Sequence, residues 1–249
     1  MQRYFLEVAY KGTNYSGFQV QQNANTIQAE IEKAFFTVFR TPVNLTGSSR
    51  TDAGVHALQN FFHFDQEQEL NLKFIYKLNA VLPPDIVITN IFPMGVENHS
   101  RFHAIGREYE YNIYTRKNPF LKEIAFYYPY KLDLDILREA AIIIKKQTNF
   151  FAFAKTHTQV SNFNCTIYLS EWRLENDLLK YCIKANRFLR GMVRQLTATQ
   201  LKLARGKISI TEFQQLFNNQ QTKCTFSVPP TGLFLKAVEY PENFFPYQA

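Results

Sequence analysis

The most informative segment of this chain reads Gly47-Ser48-Ser49-Arg50-Thr51-Asp52-Ala53-Gly54-Val55-His56-Ala57. Gly54 can adopt a positive φ, and the resulting sharp turn would present Asp52. Arg50 can keep that carboxylate ionised, because a nearby positive charge lowers the pKa of an acid. An ionised and well-positioned carboxylate acts as a nucleophile or as a general base. The simpler interpretation is an Asx turn at Asp52 with Arg50 in a surface ion pair, which is the commoner use of such loops.

Hydrophobic patterns on either side of this loop predict a mixture of strands and helices. Alternating or β-branched runs predict strands over residues 3–10, 43–46, 58–64, 86–92, 107–114, 167–174, 178–185 and 233–240. Apolar residues at helical spacing predict helices over residues 26–40, 70–81, 133–145, 189–204 and 211–217. Because neighbouring strands are often joined as hairpins, we expect an α+β fold with a mixed, largely antiparallel sheet and flanking helices.

A weak boundary lies at residues 118–131, which include two prolines. It divides the chain into residues 1–117, which carry the Asp52 loop, and residues 118–249, which carry the helix with Arg194. Each half places a helix near several strands, so the pattern allows two similar halves. We expect the two halves to form one continuous catalytic unit.

The overall composition favours a basic protein with a substantial core. The net charge is +7 at pH 7, which favours a polyanionic partner such as nucleic acid. Hydrophobic residues make up 46% of the chain, yet no run approaches the roughly 20 apolar residues of a membrane span. Residues 1–10 read as a strand and lack the long apolar run of a signal peptide. We therefore expect a cytoplasmic location and no membrane association.

The residues that commonly bind metals show no recognisable cluster. The cysteines Cys165, Cys182 and Cys224 are far apart and form no CxxC pair, so neither a disulfide framework nor a zinc ribbon is expected. We also expect no metal-ligand spacing such as HxxxH among the histidines His63, His99, His103 and His157. The sequence therefore predicts no metal site.

Several further short elements follow one another along the chain. They are Tyr15-Ser16-Gly17-Phe18-Gln19, Leu78-Asn79-Ala80-Val81-Leu82-Pro83 with Asp85-Ile86, Arg101-Phe102 with Ala104, Arg107-Glu108-Tyr109-Glu110-Tyr111, Cys165-Thr166-Ile167, Phe188-Leu189-Arg190-Gly191-Met192-Val193-Arg194 and Pro229-Pro230-Thr231-Gly232-Leu233. Together with the Asp52 loop, they resemble the motifs of the tRNA pseudouridine synthase A family, in the same order. The resemblance spans nearly the whole chain, and its most specific part is the Arg-Thr-Asp-Ala-Gly core.

This resemblance implies the pseudouridine synthase fold, with two similar halves around a central cleft. It implies that Asp52 is the catalytic aspartate and acts as nucleophile or base. It further implies that Arg50 helps to flip the target nucleotide, that Tyr109 stacks on or guards the target base, and that Arg194 pairs with the aspartate.

The individual site residues also have ordinary structural interpretations. Tyr109 lies in an alternating strand, which suits a buried core tyrosine, and Arg194 lies on an amphipathic helix, where an exposed arginine is common. His56, Arg107 and Arg190 are further candidate substrate contacts, although a structural role is the simpler interpretation of His56.

The implied reaction isomerises uridine to pseudouridine in the anticodon stem-loop of tRNA, at tRNA positions 38, 39 and 40. The base leaves its stack, its glycosidic bond breaks, and the freed uracil rejoins the ribose through C5. Because no group enters and no redox change occurs, no cofactor is expected. The resemblance also implies a homodimer whose two subunits hold one tRNA. The alternatives are a non-catalytic RNA-binding protein, which gains nothing from a carboxylate facing phosphates, and a small-substrate hydrolase, which leaves the positive charge unexplained.

Three parts of the sequence depart from the family pattern. Ser49 replaces the usual glycine, Asn149 replaces the usual aspartate, and residues 195–200 replace an asparagine followed by a glycine-containing helix. None of these departures changes the aspartate, the tyrosine or the arginine of the expected site. They therefore concern the contacts with tRNA and the packing of the helix rather than the class of reaction.

Overall fold

The computed structural model describes residues 1–67, 69–70, 72–155, 160–218 and 222–246. The chain divides into two compact units, of which the first comprises Met1–Ile105 with Leu235–Ala249 and the second comprises Gly106–Phe234. Both units combine antiparallel strands with helices, so the predicted α+β class with a mixed, largely antiparallel sheet is confirmed. Within the described ranges, every helix falls short of the length and apolar content needed to cross a membrane.

The first unit is built on strand β1 (Gln2–Tyr10). This strand pairs antiparallel with β3 (His56–Gln66) on one side and with β4 (Ile86–Met94) on the other. The two-residue strand β2 (Thr46–Gly47) pairs antiparallel with β3. The Asp52 loop therefore connects the short strand β2 to the long strand β3, which pair with each other.

Helices α1 (Ile27–Phe39) and α2 (Leu72–Val81) cover one face of this sheet. Helix α1 begins after Thr26, whose side-chain oxygen accepts a hydrogen bond from a first-turn backbone amide at 3.3 Å. This satisfies a donor that the helix itself cannot pair. The Phe35 ring of α1 packs edge-on against the Phe64 ring of β3, with centroids 4.9 Å apart. Residues 4–6 of β1 and 60–64 of β3 are buried consecutively, so side chains on both faces of these strands are covered.

The second unit is built on strand β8 (Leu178–Ala185). It pairs antiparallel with β5 (Gly106–Tyr114) and with β7 (Ile167–Glu175). Strands β7 and β8 are joined by Asn176 and Asp177, whose φ angles are 51° and 63°. Two consecutive positive φ angles suit the tight hairpin turn that matches strand twist.

The remaining elements of the second unit surround these three antiparallel strands. They are β6 (Phe126–Tyr127), which pairs parallel with β5, α3 (Leu134–Lys145), α4 (Met192–Ala204) and α5 (Ile210–Asn218). The last strand, β9 (Leu233–Glu239), returns to the first unit from residue 235 onward and lies beside β3.

One face of the second unit's sheet packs on helix α4. Tyr111, Tyr181 and Trp172 are cross-strand neighbours on β5, β8 and β7. The Trp172 ring stacks on the Tyr181 ring with centroids 5.0 Å apart, and its Nε1 donates a 2.8 Å hydrogen bond to Gln200 Oε1 of α4. Because side chains alternate along a strand, Tyr109 lies on the same face of β5 as Tyr111.

The strand predicted over residues 43–46 is wrong for most of its length, since β2 contains only Thr46 and Gly47. The Leu45 backbone N–H instead donates to Glu32 Oε1 at 3.1 Å, and its carbonyl accepts from Gln28 Nε2 at 2.9 Å. Side chains of α1 thus satisfy both backbone groups, and residue 45 needs no strand partner.

The helix predicted from residue 189 begins later, at Met192. Gly191 has a φ of 74°, and this left-handed conformation cannot continue a right-handed helix. Strand β3 begins two residues earlier than predicted, and β6 was not predicted at all. A two-residue strand has too few residues to show a period of two.

Candidate active site

Asp52 lies half-buried at a tight turn of the first unit. The backbone N–H of Val55 donates to the Asp52 carbonyl at 3.2 Å, and the N–H of Gly54 donates to the Tyr15 carbonyl at 3.3 Å. Gly54 has a φ of 75°, a left-handed conformation that favours glycine. The sharp turn with a positive φ at Gly54 that the sequence predicts is therefore present.

A buried polar network holds the residues that lead to Asp52. Asn60 of β3 is fully buried, and its Nδ2 donates to the Ser49 carbonyl at 2.9 Å and to Tyr10 Oη at 3.2 Å. Its Oδ1 accepts from Ser48 Oγ at 2.8 Å. The Tyr10 hydroxyl also lies 2.8 Å from Thr51 Oγ1. Hydrogen bonds from two strands thereby fix consecutive residues of the loop.

Two glycines allow backbone segments to approach this loop closely. A Cβ at Gly12 would lie 2.0 Å from the Val55 carbonyl oxygen, and a Cβ at Gly47 would lie 2.1 Å from a ring carbon of Phe18. The backbone N–H of Phe18 in turn donates to the Thr51 carbonyl at 3.1 Å. A larger residue at Gly12 would push against the loop backbone at Val55, whereas one at Gly47 would displace the Phe18 ring.

The two other expected site residues of this loop differ in exposure. Arg50 is exposed, whereas His56 is only 1% exposed. The Nδ1 of His56 accepts a 3.1 Å hydrogen bond from the Gly12 backbone N–H. This contact gives His56 a structural role in the loop, and its assignment as a tRNA contact stays a prediction.

Tyr109 lies on the helix-facing side of β5 in the second unit and is 9% exposed. Its ring meets the Phe188 ring edge-to-face, with centroids 5.0 Å apart and planes at 84°. Phe188 lies in the segment that leads into α4, so this segment and β5 jointly orient the Tyr109 ring. Such an aromatic pair is a stable arrangement because the positive ring edge meets the negative ring face.

Arg194 is half-buried in the first turn of α4. Its Nε donates a 2.7 Å hydrogen bond to the Val228 carbonyl, and the Val228 N–H donates to the Arg194 carbonyl at 3.3 Å. The next carbonyl, that of Pro229, accepts from Tyr111 Oη at 2.8 Å. The segment at Val228 and Pro229 thus ties the Arg194 side chain to the face of β5 that also carries Tyr109.

The chemistry of Tyr111 agrees with this donor role. Burial raises the pKa of the Tyr111 hydroxyl, and the positive charge of Arg194 lowers it by a smaller amount. The hydroxyl therefore stays protonated at neutral pH and remains a hydrogen-bond donor to the Pro229 carbonyl.

The two other expected contacts lie close to the start of α4. The Nη1 of Arg107 donates to the Asn186 carbonyl at 3.1 Å. Arg190 is exposed, and its carbonyl accepts from the Lys155 N–H at 3.0 Å. The structure thus places Asp52, Arg50 and His56 on one loop of the first unit. It gathers Tyr109, Arg107, Arg190 and Arg194 around the amino-terminal end of α4 in the second unit.

Sequence reasoning missed the residues that support these side chains. Asn60 had a detectable signal, since it is a polar residue within a strongly apolar strand, and such residues are hydrogen-bonded when buried. Tyr10, Tyr111 and Val228 gave no signal, because their partners are distant in the sequence.

The expectation that the histidines lack HxxxH spacing is wrong, since His99 and His103 have this spacing in the sequence. In the structure, the Nδ1 of His103 accepts from the His99 N–H at 2.9 Å, and the Nδ1 of His99 accepts from the Arg101 N–H at 3.1 Å. His63 Nδ1 lies 2.8 Å from Ser100 Oγ. Among the residues that the structure describes, no three His, Cys, Asp or Glu side chains are placed to hold a metal ion. His157 lies outside the described residues.

Comparisons with known proteins agree with the motifs. The family model described as tRNA pseudouridine synthase matches residues 7–103 and 147–241. A protein named tRNA pseudouridine synthase A from Parabacteroides distasonis is 41% identical over 251 residues, and the match covers 100% of each chain. A protein of the same name from Bacteroides thetaiotaomicron is 39% identical, covering 98% of this chain and 93% of the relative. One from Staphylococcus aureus is 34% identical, covering 97% and 92%.

Proposed function

This chain belongs to the tRNA pseudouridine synthase family, and from that premise we propose that it isomerises uridine to pseudouridine in tRNA. The names of the relatives support tRNA as the substrate, and the basic charge of +7 suits a polyanion. We extend the proposal to the anticodon stem-loop, at tRNA positions 38, 39 and 40. The alternative of a non-catalytic RNA-binding protein is not supported by these relatives.

The observation that carries the proposal is the construction of the Asp52 turn. A half-buried carboxylate stands on a loop that the Asn60 network and closely packed glycines hold in one conformation. A catalytic group must be held within a narrow range of positions to react efficiently. A loop that served only to contact phosphates would need neither the carboxylate nor this degree of fixation.

The proposed reaction rearranges bonds within one nucleotide. The bond between N1 and C1′ breaks, a bond between C5 and C1′ forms, N1 gains a proton and C5 loses one. Asp52 attacks C1′, attacks C6 of uracil or removes a ribose proton, and each route requires an ionised carboxylate. Since atoms and electrons balance within the nucleotide, the chemistry needs no cofactor.

Three side chains have proposed supporting roles. Tyr109 covers the flipped base by stacking, and Arg194 pairs with Asp52 and orients its carboxylate. Arg50 is exposed on the catalytic loop and takes part in flipping the target nucleotide, a step that costs a few kcal/mol of unstacking. We further propose that His56, Arg107 and Arg190 contribute to substrate binding, that the enzyme is a homodimer, and that it acts in the cytoplasm.

The proposal is tested with the purified chain and unmodified tRNA transcripts whose pseudouridines are mapped by chemical sequencing. We expect modification in the anticodon arm by the wild-type protein. Asp52→Asn keeps the shape of the side chain but removes its charge, so it should abolish modification while folding and tRNA binding persist. Asp135→Asn is the matched control, because Asp135 is 90% exposed on α3. Near-normal turnover by Asp52→Asn, or pseudouridines only outside the anticodon arm, would contradict the corresponding part of the proposal.

A further inference from the structure

A second concave surface of the second unit has no role in the site described above. A cavity of about 420 Å³ opens between the ends of β5 and β7 and the segment that precedes α3. We name it the Tyr130 cleft and define it by Ile113, Tyr130, Lys131, Leu134, Leu174 and Asp177. Its volume lies within the range of small-molecule binding sites.

The Tyr130 ring is held in place from behind by Arg205. The guanidinium carbon of Arg205 lies 3.6 Å from the centre of the Tyr130 ring, and its Nη1 donates a 3.3 Å hydrogen bond to Tyr128 Oη. The Tyr128 ring meets Tyr130 edge-on, with centroids 4.9 Å apart. These contacts restrict the ring, yet the residue remains 47% exposed. A fixed and accessible aromatic ring next to a cation is a typical platform for a nucleobase.

The walls of the cleft combine exposed leucine side chains with polar and charged groups. Leu174 is 69% exposed and Leu134 is 38% exposed. Exposed apolar side chains that line a concave surface are stabilised when a flat apolar ligand displaces the water. Lys131 supplies a positive charge at the rim, where it can contact a phosphate. Asp177 supplies a negative charge to the lining of the cleft. Its carboxylate can accept a hydrogen bond from the amino group of a base.

The cleft lies on the same face of the same strand as Tyr109. Side chains of Tyr109, Tyr111 and Ile113 alternate onto one face of β5. At about 3.3 Å per residue, Ile113 is roughly 13 Å along the strand from Tyr109. Tyr111 and Ile113 are 0% exposed, so an RNA strand can reach the cleft only around the elements that cover this face of β5.

We propose that the Tyr130 cleft binds an unpaired nucleobase of the substrate tRNA. The base stacks on Tyr130 between the leucine walls, and Lys131 contacts its phosphate. This inference rests on the proposed function, because it takes tRNA to be the substrate. The cleft contributes binding energy away from the reacting atoms and sets where the RNA strand lies on the second unit.

The test compares tRNA affinity and turnover among variants of the full chain. Tyr130→Ala removes the ring and should raise the Kd for tRNA by at least about fivefold at fixed salt, with turnover at saturating tRNA within about twofold of wild type. Tyr130→Phe keeps the ring and should retain near-wild-type affinity. Leu174→Glu alters an exposed wall residue, so it should fold normally and also weaken binding.

Tyr168→Ala provides the matched control, since Tyr168 is 46% exposed on β7 outside the cleft. It should leave the Kd unchanged. Unchanged affinity in both Tyr130→Ala and Leu174→Glu would overturn the inference while leaving the proposed function intact. A loss of self-association in these variants, seen by sedimentation with unchanged affinity per subunit, would assign the cleft to a protein partner and also overturn it. If the wild-type chain forms no pseudouridine, the proposed function itself has failed.

Discussion

The side chain of Asn60 donates a 2.9 Å hydrogen bond to the carbonyl oxygen of Ser49, three residues before Asp52. The same side chain accepts a hydrogen bond from Ser48 Oγ at 2.8 Å. A single buried amide on a central strand therefore holds two consecutive residues of the loop that carries Asp52. The position of the Asp52 carboxylate thus depends on a residue of β3 outside this loop.

We expect Asn60→Ala to destabilise the protein and to slow catalysis. The substitution leaves the Ser49 carbonyl and the Ser48 hydroxyl without their partner, which should cost about 2 kcal/mol or more of unfolding free energy. The kcat for pseudouridine formation should fall at least tenfold, and the Kd for tRNA should change much less. Urea denaturation and single-turnover assays measure the two effects. Asn90→Ala is the control, because Asn90 Nδ2 bonds to Glu7 on β1 rather than to the loop, and a kcat loss equal to that of Asn60→Ala would contradict the assigned role.

The second prediction concerns the geometry of Arg194. Lysine cannot donate from an Nε to the Val228 carbonyl and also present two terminal nitrogens. Arg194→Lys should lower kcat/KM for tRNA at least tenfold, with a loss of only about 1 kcal/mol in stability. Arg138→Lys makes the same exchange at an arginine with a 63% exposed side chain on α3 and should have no effect. Equal activities of the two variants would show that a positive charge alone suffices.

The third prediction concerns the pH dependence of stability. Burial, with His99 and Arg3, lowers the pKa of His63 from 6.5 to about 4, and Asp65 opposes this shift. In the unfolded chain His63 has its ordinary pKa of 6.5. Between pH 6.5 and about 4 the unfolded chain therefore binds more protons than the native state. The free energy of unfolding thus falls as the pH falls through this range. The contribution is up to about 3 kcal/mol. His63→Gln should be less stable than the wild type at pH 7 but should lose less unfolding free energy between pH 7 and pH 4.5. Urea denaturation at each pH measures this. Parallel plots of unfolding free energy against pH for the two proteins would contradict the role assigned to His63.

The fourth prediction concerns ionic strength. Contacts to several tRNA phosphates release counterions, so log Kd should rise linearly with log salt concentration. Between 50 and 200 mM salt we expect the affinity to fall at least about tenfold. Fluorescence anisotropy with labelled tRNA provides the measurement, and a flat response would favour the small-substrate hydrolase.

The fifth prediction concerns cofactors. Because the isomerisation needs no external group, pseudouridine formation should survive exhaustive treatment with EDTA followed by desalting. The assay compares initial rates before and after treatment, with refolded tRNA in buffer of equal ionic strength. Activity that returns only when a metal ion or nucleotide is added would refute this expectation.

Local patterns in the sequence were sufficient for most of the elements. Alternation predicted β1, β5 and β8 to within a residue or two, and Thr26 marked the start of α1. These signals are reliable because strand and helix periods depend on neighbours only a few residues away. The strand at Leu45 and the start of α4 were predicted wrongly because contacts or conformations beyond the local period decide them. Side chains of α1 bond to the backbone of Leu45, and the positive φ of Gly191 delays the start of α4.

The sequence by itself determined the class of fold and the family, because the patterns and motifs that indicate them lie in contiguous residues. Only the tertiary structure decided what supports the loop and the arginine. Tyr10 reaches Thr51 across 41 residues, and Tyr111 reaches Pro229 across 118. Likewise, only the fold returned residues 235–246 to the first unit. Such contacts depend on how whole elements pack, and packing reflects the shapes and polar groups of many distant residues at once rather than any local period.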